Sequence, residues 1–168
     1  MSDLAVRPAT EADATALATL ERDVNLPALG HVFPADEHPF PTAAVEQRWR
    51  RLLADPEVTV EVVDADDAAD GDLLAFVAYD ERLLRHLAVH PGRWRQGWGS
   101  TLVARALSRM GPQPRLWCLV ENRPARKLYE GLGWEPTGRE QPAEWPPYPL
   151  EIEYVHNEPN ARLTASEA

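Results

Sequence analysis

Apolar positions along this chain repeat with two periods, and the period switches where proline, glycine or asparagine intervenes. Leu4 and Val6 predict a first strand that stops at Pro8. Thr10 then opens a helix, with Asp13 as an acidic partner in its first turn, and Ala14, Leu17, Ala18 and Leu20 give it one apolar face. Val45, Trp49, Leu52 and Leu53 form a second helical stripe, which Thr42 is expected to cap and Pro56 to end. Between these helices, residues 25–41 hold four prolines, two histidines and a glycine, and read as one long irregular segment. Such a segment inside a compact domain is often functional.

Val58, Val60, Val62 and Val63 alternate toward a strand. The acidic stretch 64–72, with Gly71, reads as a turn into a second strand at 73–79. Residues 83–89 are apolar on both faces, as in a central strand, and Pro91 stops them. After Gly99, the positions Leu102, Val103, Ala106, Leu107 and Met110 follow helical spacing until Gly111 and Pro112. Residues 116–120 predict another strand. Asn122 can cap the next helix, which carries Pro124 in its first turn and Ala125, Leu128, Tyr129 and Leu132 on its stripe. Residues 131–134 turn into a short strand, 141–149 form a Pro-rich link, and Leu150, Ile152 and Tyr154 alternate with Glu151 and Glu153 in a last strand with an acidic face. The order β-α-α-β-β-β-α-β-α-β-β is that of an α+β fold, a three-layer mixed sheet with helices on both faces. A parallel crossover joins the strands near Val89 and Val120. We find no repeat and no second core: residues 1–156 form a single domain, and 157–168 are expected to be a flexible tail.

Composition narrows the function. The chain has 168 residues, 44% apolar and 26% charged, as in soluble globular proteins. Its net charge of −10 argues against a nucleic-acid partner, which needs a basic surface. It is compatible with a cationic small substrate. No run is long enough to span a membrane, and the N-terminus lacks the basic start and apolar core of a signal peptide, so a cytoplasmic location is expected. One cysteine, Cys118, excludes an internal disulfide and a multi-cysteine metal site, and no metal is expected.

The turn VHPGRWRQGWGS, at 89–100, carries the first candidate chemistry. A strand ends at Pro91 and a helix begins near Gly99. The amides from Arg95 to Ser100 lack intrahelical acceptors, the glycines let them converge, and the helix dipole adds positive potential. That suits a phosphate or pyrophosphate, but an ordinary strand-to-helix turn has the same look. A Rossmann turn is excluded because Leu102 stands where a third glycine belongs, and a P-loop because no Gly-Lys-Ser/Thr follows.

Downstream runs ENRPARKLYEGLGW, at 121–134. Together the two segments resemble the GNAT superfamily of N-acetyltransferases. LAVHP followed by RQGWGS is similar to that family's acetyl-CoA segment. Asn122 and Tyr129, followed by Gly133 and Trp134, are similar to its next segment. The resemblance is specific over about residues 83–137. It implies a GNAT-like sheet whose central strand splays from its parallel neighbour, with acetyl-CoA as co-substrate in the cleft. Leu87, Ala88 and Val89 would line the pantetheine arm. The amides of Arg95, Gln96, Gly97, Trp98, Gly99 and Ser100 would hold the pyrophosphate. Asn122 would contact the cofactor or a nearby water, beside or instead of capping its helix. Tyr129 would bond the thioester sulfur and protonate the leaving thiolate as general acid, unless it is only a core aromatic. Trp94 departs from the pattern, standing where the family often has Arg or Gln.

The implied activity is direct transfer of an acetyl group to an amine of a small molecule or peptide, in a ternary complex. A protonated amine must lose a proton before it attacks, so a base is needed. The positions aligned with glutamates of some relatives hold Leu83 and Trp117, neither of which ionises. Glu81 or His86 is the nearest substitute. Asp36, Glu37 and His38 on the Pro-rich segment, and Tyr148 before the last strand, are candidates for acceptor binding. Two rivals stand beside this reading: a catalytically silent acyl-CoA-binding sensor or scaffold, and a transferase of longer acyl groups. A homodimer through the Trp/Pro-rich C-terminal segment is a further expectation.

Overall fold

The computed structural model describes residues 6–66 and 72–157. Leu4 of the expected first strand, part of the acidic turn and residues 158–168 of the expected tail therefore lie outside the described residues. The elements follow the predicted order: β1 (Val6–Pro8), α1 (Ala14–Leu29), α2 (Thr42–Ala54), β2 (Thr59–Asp64), β3 (Leu73–Tyr79), β4 (Leu83–Val89), α3 (Trp98–Leu107), β5 (Arg115–Leu119), α4 (Arg123–Gly131), β6 (Trp134–Pro142) and β7 (Leu150–His156). They make one mixed sheet in the order β1-β2-β3-β4-β5-β7-β6. The sheet is antiparallel except between β4 and β5, which α3 joins as a parallel crossover.

Helices cover both faces, as expected. On one face, Leu17 and Leu20 of α1 and Val45 and Trp49 of α2 close over Val62, Phe76 and Ala88. On the other, Leu102, Val103 and Ala106 of α3 pack on Leu74, Val77, Leu84 and Leu116, joined by Tyr129 of α4. Every residue of β3 is buried, which is why its sequence is apolar without alternation.

Four local expectations are corrected. Helix α1 runs through Pro27 to Leu29, so the irregular segment is shorter than 25–41. Pro27 denies α1 the bond its N–H would give to the carbonyl of Asp23, and the burial of Leu29, 6% exposed, works against that loss. Thr42 is the first residue of α2, not its cap; Pro41 holds the cap position. β6 is long, because it pairs with β7 on both sides of an irregularity between Pro136 and Glu140 and so absorbs the start of the Pro-rich link. The acidic face of β7 is not solvated at Glu153, which is 3% exposed and bonded to Arg115 at 2.7 Å and Thr137 at 2.9 Å.

The feature that positions a site is the parting of β4 from β5. They pair only at Leu83↔Arg115 and Leu84↔Leu116. At that point β4 carries an extra residue against β3: Tyr79 faces Leu84 and Ala78 faces His86, leaving Arg85 unmatched. A bulge bends its strand and raises the local twist. Beyond it, β4 follows β3 and leaves β5, opening a wedge between the sheet's halves.

Candidate active site

The edge of β4 that lines the wedge can be read from one hydrogen bond. The His90 N–H donates to Leu74 O at 2.8 Å, on the β3 side. Peptide groups alternate edges along a strand, so those of Leu87 and Val89 point into the wedge. Their side chains pack on the α3/α4 face, while Ala88 packs on the α1/α2 face.

At the mouth of the wedge lies the turn into α3. None of the backbone N–H groups of residues 95–100 donates to an acceptor among the described residues. Gly97 is the N-cap of α3 at φ 85°, and Arg95 is also left-handed at φ 62°. These two reversals curl the amides toward one side. Gly99 sits against α4: a Cβ there would lie 3.2 Å from Leu128 Cδ2. The Trp94 Nε1–H donates to Val89 O at 2.7 Å and closes the turn onto the strand end.

Helix α4 faces the wedge from the far side. Asn122 Oδ1 accepts from the Ala125 N–H at 3.3 Å, so it does cap α4, and its amide nitrogen stays free of that bond. The Tyr154 hydroxyl clamps the helix, donating to Glu130 Oε1 at 2.8 Å and accepting from Arg126 Nε at 3.0 Å. This holds the Tyr129 ring 6.1 Å from Trp134 and 6.5 Å from Tyr154. The Tyr129 hydroxyl has no hydrogen-bond partner among the described residues. Burial, with a contribution from Cys118, pushes its phenol well above the usual range. Cys118 is 6% exposed, and burial pushes its thiol up to about 12. It has the packing role of a buried thiol.

The candidate bases separate. Glu81 is exposed in the link before β4, at the strand's paired end, against Gly111, whose N–H donates to Glu81 O at 2.8 Å. His86 lies on the α1/α2 side beside the wedge, its ring 5.2 Å from Trp49. Burial, helped by Arg48 and Arg85, pushes it down to about 3, so it is a neutral imidazole and a weak base.

The predicted acceptor residues also separate. Glu37 and His38 line a cavity of about 320 Å³ with Leu26, Phe33, Phe40 and Trp145. Asp36 is exposed and Tyr148 is 58% exposed; neither lines that cavity. Two carboxylates had no signal in the sequence. Glu21 lines the cavity from α1, where it looks like any polar helix residue. Glu151 faces Leu119 across β5 and β7 and accepts from Gln141 Nε2 at 2.6 Å, with burial raising its pKa. Pairing register, not local pattern, brings it to the open end of the wedge.

Residues 57–136, which contain the wedge and the amide turn, match the family model described as acetyltransferase (GNAT) domain. The chain carries a GNAT acetyltransferase domain. Solved structures with this GNAT fold include a variant of the spermidine N-acetyltransferase SpeG of Vibrio cholerae (TM-score 0.65, 20% identity, 95% of this chain and 99% of that one). Arabidopsis thaliana NAA60 in complex with a bisubstrate analogue aligns with TM-score 0.66 at 14% identity, over 90% and 95% of the two chains. PaiA N-acetyltransferase of Thermoplasma acidophilum in complex with coenzyme A aligns with TM-score 0.61 at 14% identity, over 88% and 96%. At these identities the likeness is one of fold. No curated protein is similar enough in sequence to match the chain. No helix among the described residues is long and apolar enough to cross a membrane.

Proposed function

We propose that the protein is an acetyl-CoA-dependent N-acetyltransferase that acetylates an amine of a small molecule or peptide by direct attack. One observation carries this reading: the peptide edge of Leu87 and the Val89 N–H, which the β4 bulge turns away from pairing with β5, meets at one mouth the amides of residues 95–100, which have no acceptor among the described residues. An extended arm with amide groups suits the first, and a pyrophosphate suits the second. Acetyl-CoA supplies both, together with an acetyl thioester.

In this reading Leu87 and Val89 align the arm, and the N-terminus of α3 holds the pyrophosphate. Asn122 caps α4 and keeps its amide nitrogen for the cofactor side. Tyr129 stays protonated at all physiological pH and has no partner among the described residues, which leaves its O–H free to donate to the sulfur. The buried Cys118 thiol supports transfer without a covalent enzyme intermediate. The amine enters from the α1/α2 face, through the cavity beside the 145–146 link.

Titration with acetyl-CoA, followed by thiol release in the presence of amines, tests this. Binding and amine-dependent thiol release are expected; a folded protein that binds neither acetyl-CoA nor CoA overturns it.

A further inference from the structure

We infer that the acceptor is a primary amine on a compact apolar body, held in the cavity between α1 and the β6–β7 link with its ammonium on Glu21. The inference rests on the proposed acetyltransferase reading and names its substrate class.

Glu21 is a carboxylate on the cavity's lining. Its side chain is 16% exposed, and its Oε2 accepts from both Arg48 and, at 2.8 Å, the Trp49 Nε1–H. Oε1 has no partner among the described residues, which leaves an acceptor toward the cavity. Trp49 connects this carboxylate to the reaction side: its ring lies 5.2 Å from His86 on β4, next to the wedge-lining residues. Trp49 thus touches both the Glu21 carboxylate and β4.

The rest of the lining selects what carries the amine. Phe33, Phe40, Leu26 and Trp145 give aromatic and aliphatic walls, and Phe40 and Trp145 pack on the same core as Ala88 of β4. The volume of about 320 Å³ lies at the small end for ligand cavities, enough for a ring and a short chain. A polyamine would bring further ammonium groups against these walls. Burying an unpaired charge is costly, and the only other carboxylate lining the cavity among the described residues is the exposed Glu37. A peptide would place backbone amides against proline and phenylalanine with few acceptors. A monoamine with an apolar body satisfies both ends.

The test uses the full chain with 2-phenylethylamine, spermidine and a short peptide with a free N-terminus. Thiol release gives kcat/KM, and calorimetry gives amine and acetyl-CoA affinities on the same samples. The expected result is a kcat/KM for 2-phenylethylamine about tenfold or more above the other two. Glu21→Gln is expected to weaken amine binding by about tenfold or more, as for a lost charged hydrogen bond, with acetyl-CoA affinity unchanged. Leu26 is 52% exposed, so Leu26→Arg tests the cavity without disturbing the core, and is expected to weaken amine binding in the same way. Preference for spermidine or the peptide, or wild-type amine affinity in Leu26→Arg, overturns the inference. Acetyl-CoA binding without 2-phenylethylamine binding overturns this inference alone; absence of acetyl-CoA binding overturns the underlying reading too.

Discussion

The indole N–H of Trp94 donates to the carbonyl oxygen of Val89 at 2.7 Å, five residues back at the end of β4. The residue that departs from the family pattern thus has a structural task. It ties the start of the amide turn to the strand edge that lines the wedge. A bond of this kind is worth about 1 kcal/mol net, so Trp94→Phe is expected to weaken acetyl-CoA binding by only about two- to tenfold. Calorimetry of the variant checks this.

The glycines matter more. Gly97 adopts φ 85°, where a β-branched residue is strained, and a side chain at Gly99 would press on Leu128. Gly97→Val and Gly99→Val are each expected to reduce acetyl-CoA affinity more than Trp94→Phe or Trp94→Arg does. Equal losses across the four variants in the same titration would show that backbone shape is not what holds the cofactor.

Tyr129→Phe keeps the ring against Trp134 and Tyr154 and removes a hydroxyl with no partner among the described residues. Thermal stability is expected to change little, within about 1 kcal/mol. Turnover is expected to fall while acetyl-CoA affinity stays near wild type. Normal turnover would remove Tyr129 from the chemistry.

His86 makes stability depend on pH in a defined direction. Its pKa falls from 6.5 to about 3 on folding. Above 6.5 both states are neutral and nothing is lost. Between 6.5 and about 3 the unfolded chain binds a proton that the folded chain does not, so stability declines as pH drops through that window. His86→Gln is expected to flatten this part of the profile, read as melting temperature at about pH 5 against about pH 7.5. A slope unchanged from wild type would assign the acid sensitivity to other groups.

Glu61 ties β2 to α3. It is 5% exposed and accepts from the Tyr79 hydroxyl at 2.8 Å, Arg105 at 2.8 Å and Arg109 at 3.3 Å. Glu61→Ala leaves the buried Tyr79 hydroxyl without that acceptor and frees the helix whose N-terminus forms the amide turn. A loss of about 3 kcal/mol in denaturant unfolding is expected.

How far the sequence reached depended on whether the information was local. β3 and β4 are legible to the residue, because their apolar runs are bounded by acidic and proline signals. The amide turn is legible because glycine and a helix start announce themselves. Residue 27 misled, because a proline in the last helical turn looks the same as one in a loop until Leu29 finds the core. β6 is longer than its composition predicts, because its partner strand makes it a strand. Glu21 left no mark at all. Its significance comes from Arg48 and Trp49, which lie 27 and 28 residues away and meet it only when α1 packs on α2.

By itself, then, the sequence determined the order of elements, the crossover around α3, the GNAT-like segments and the positions of Asn122 and Tyr129, since each is written in spacings of a few residues. The tertiary structure decided three other matters. It showed that the wedge opens at Arg85, that His86 is desolvated into a neutral ring, and that Glu37 and His38 share a cavity that Asp36 and Tyr148 do not. Strand register, burial and cavity lining are relations between distant segments, and no local pattern encodes them.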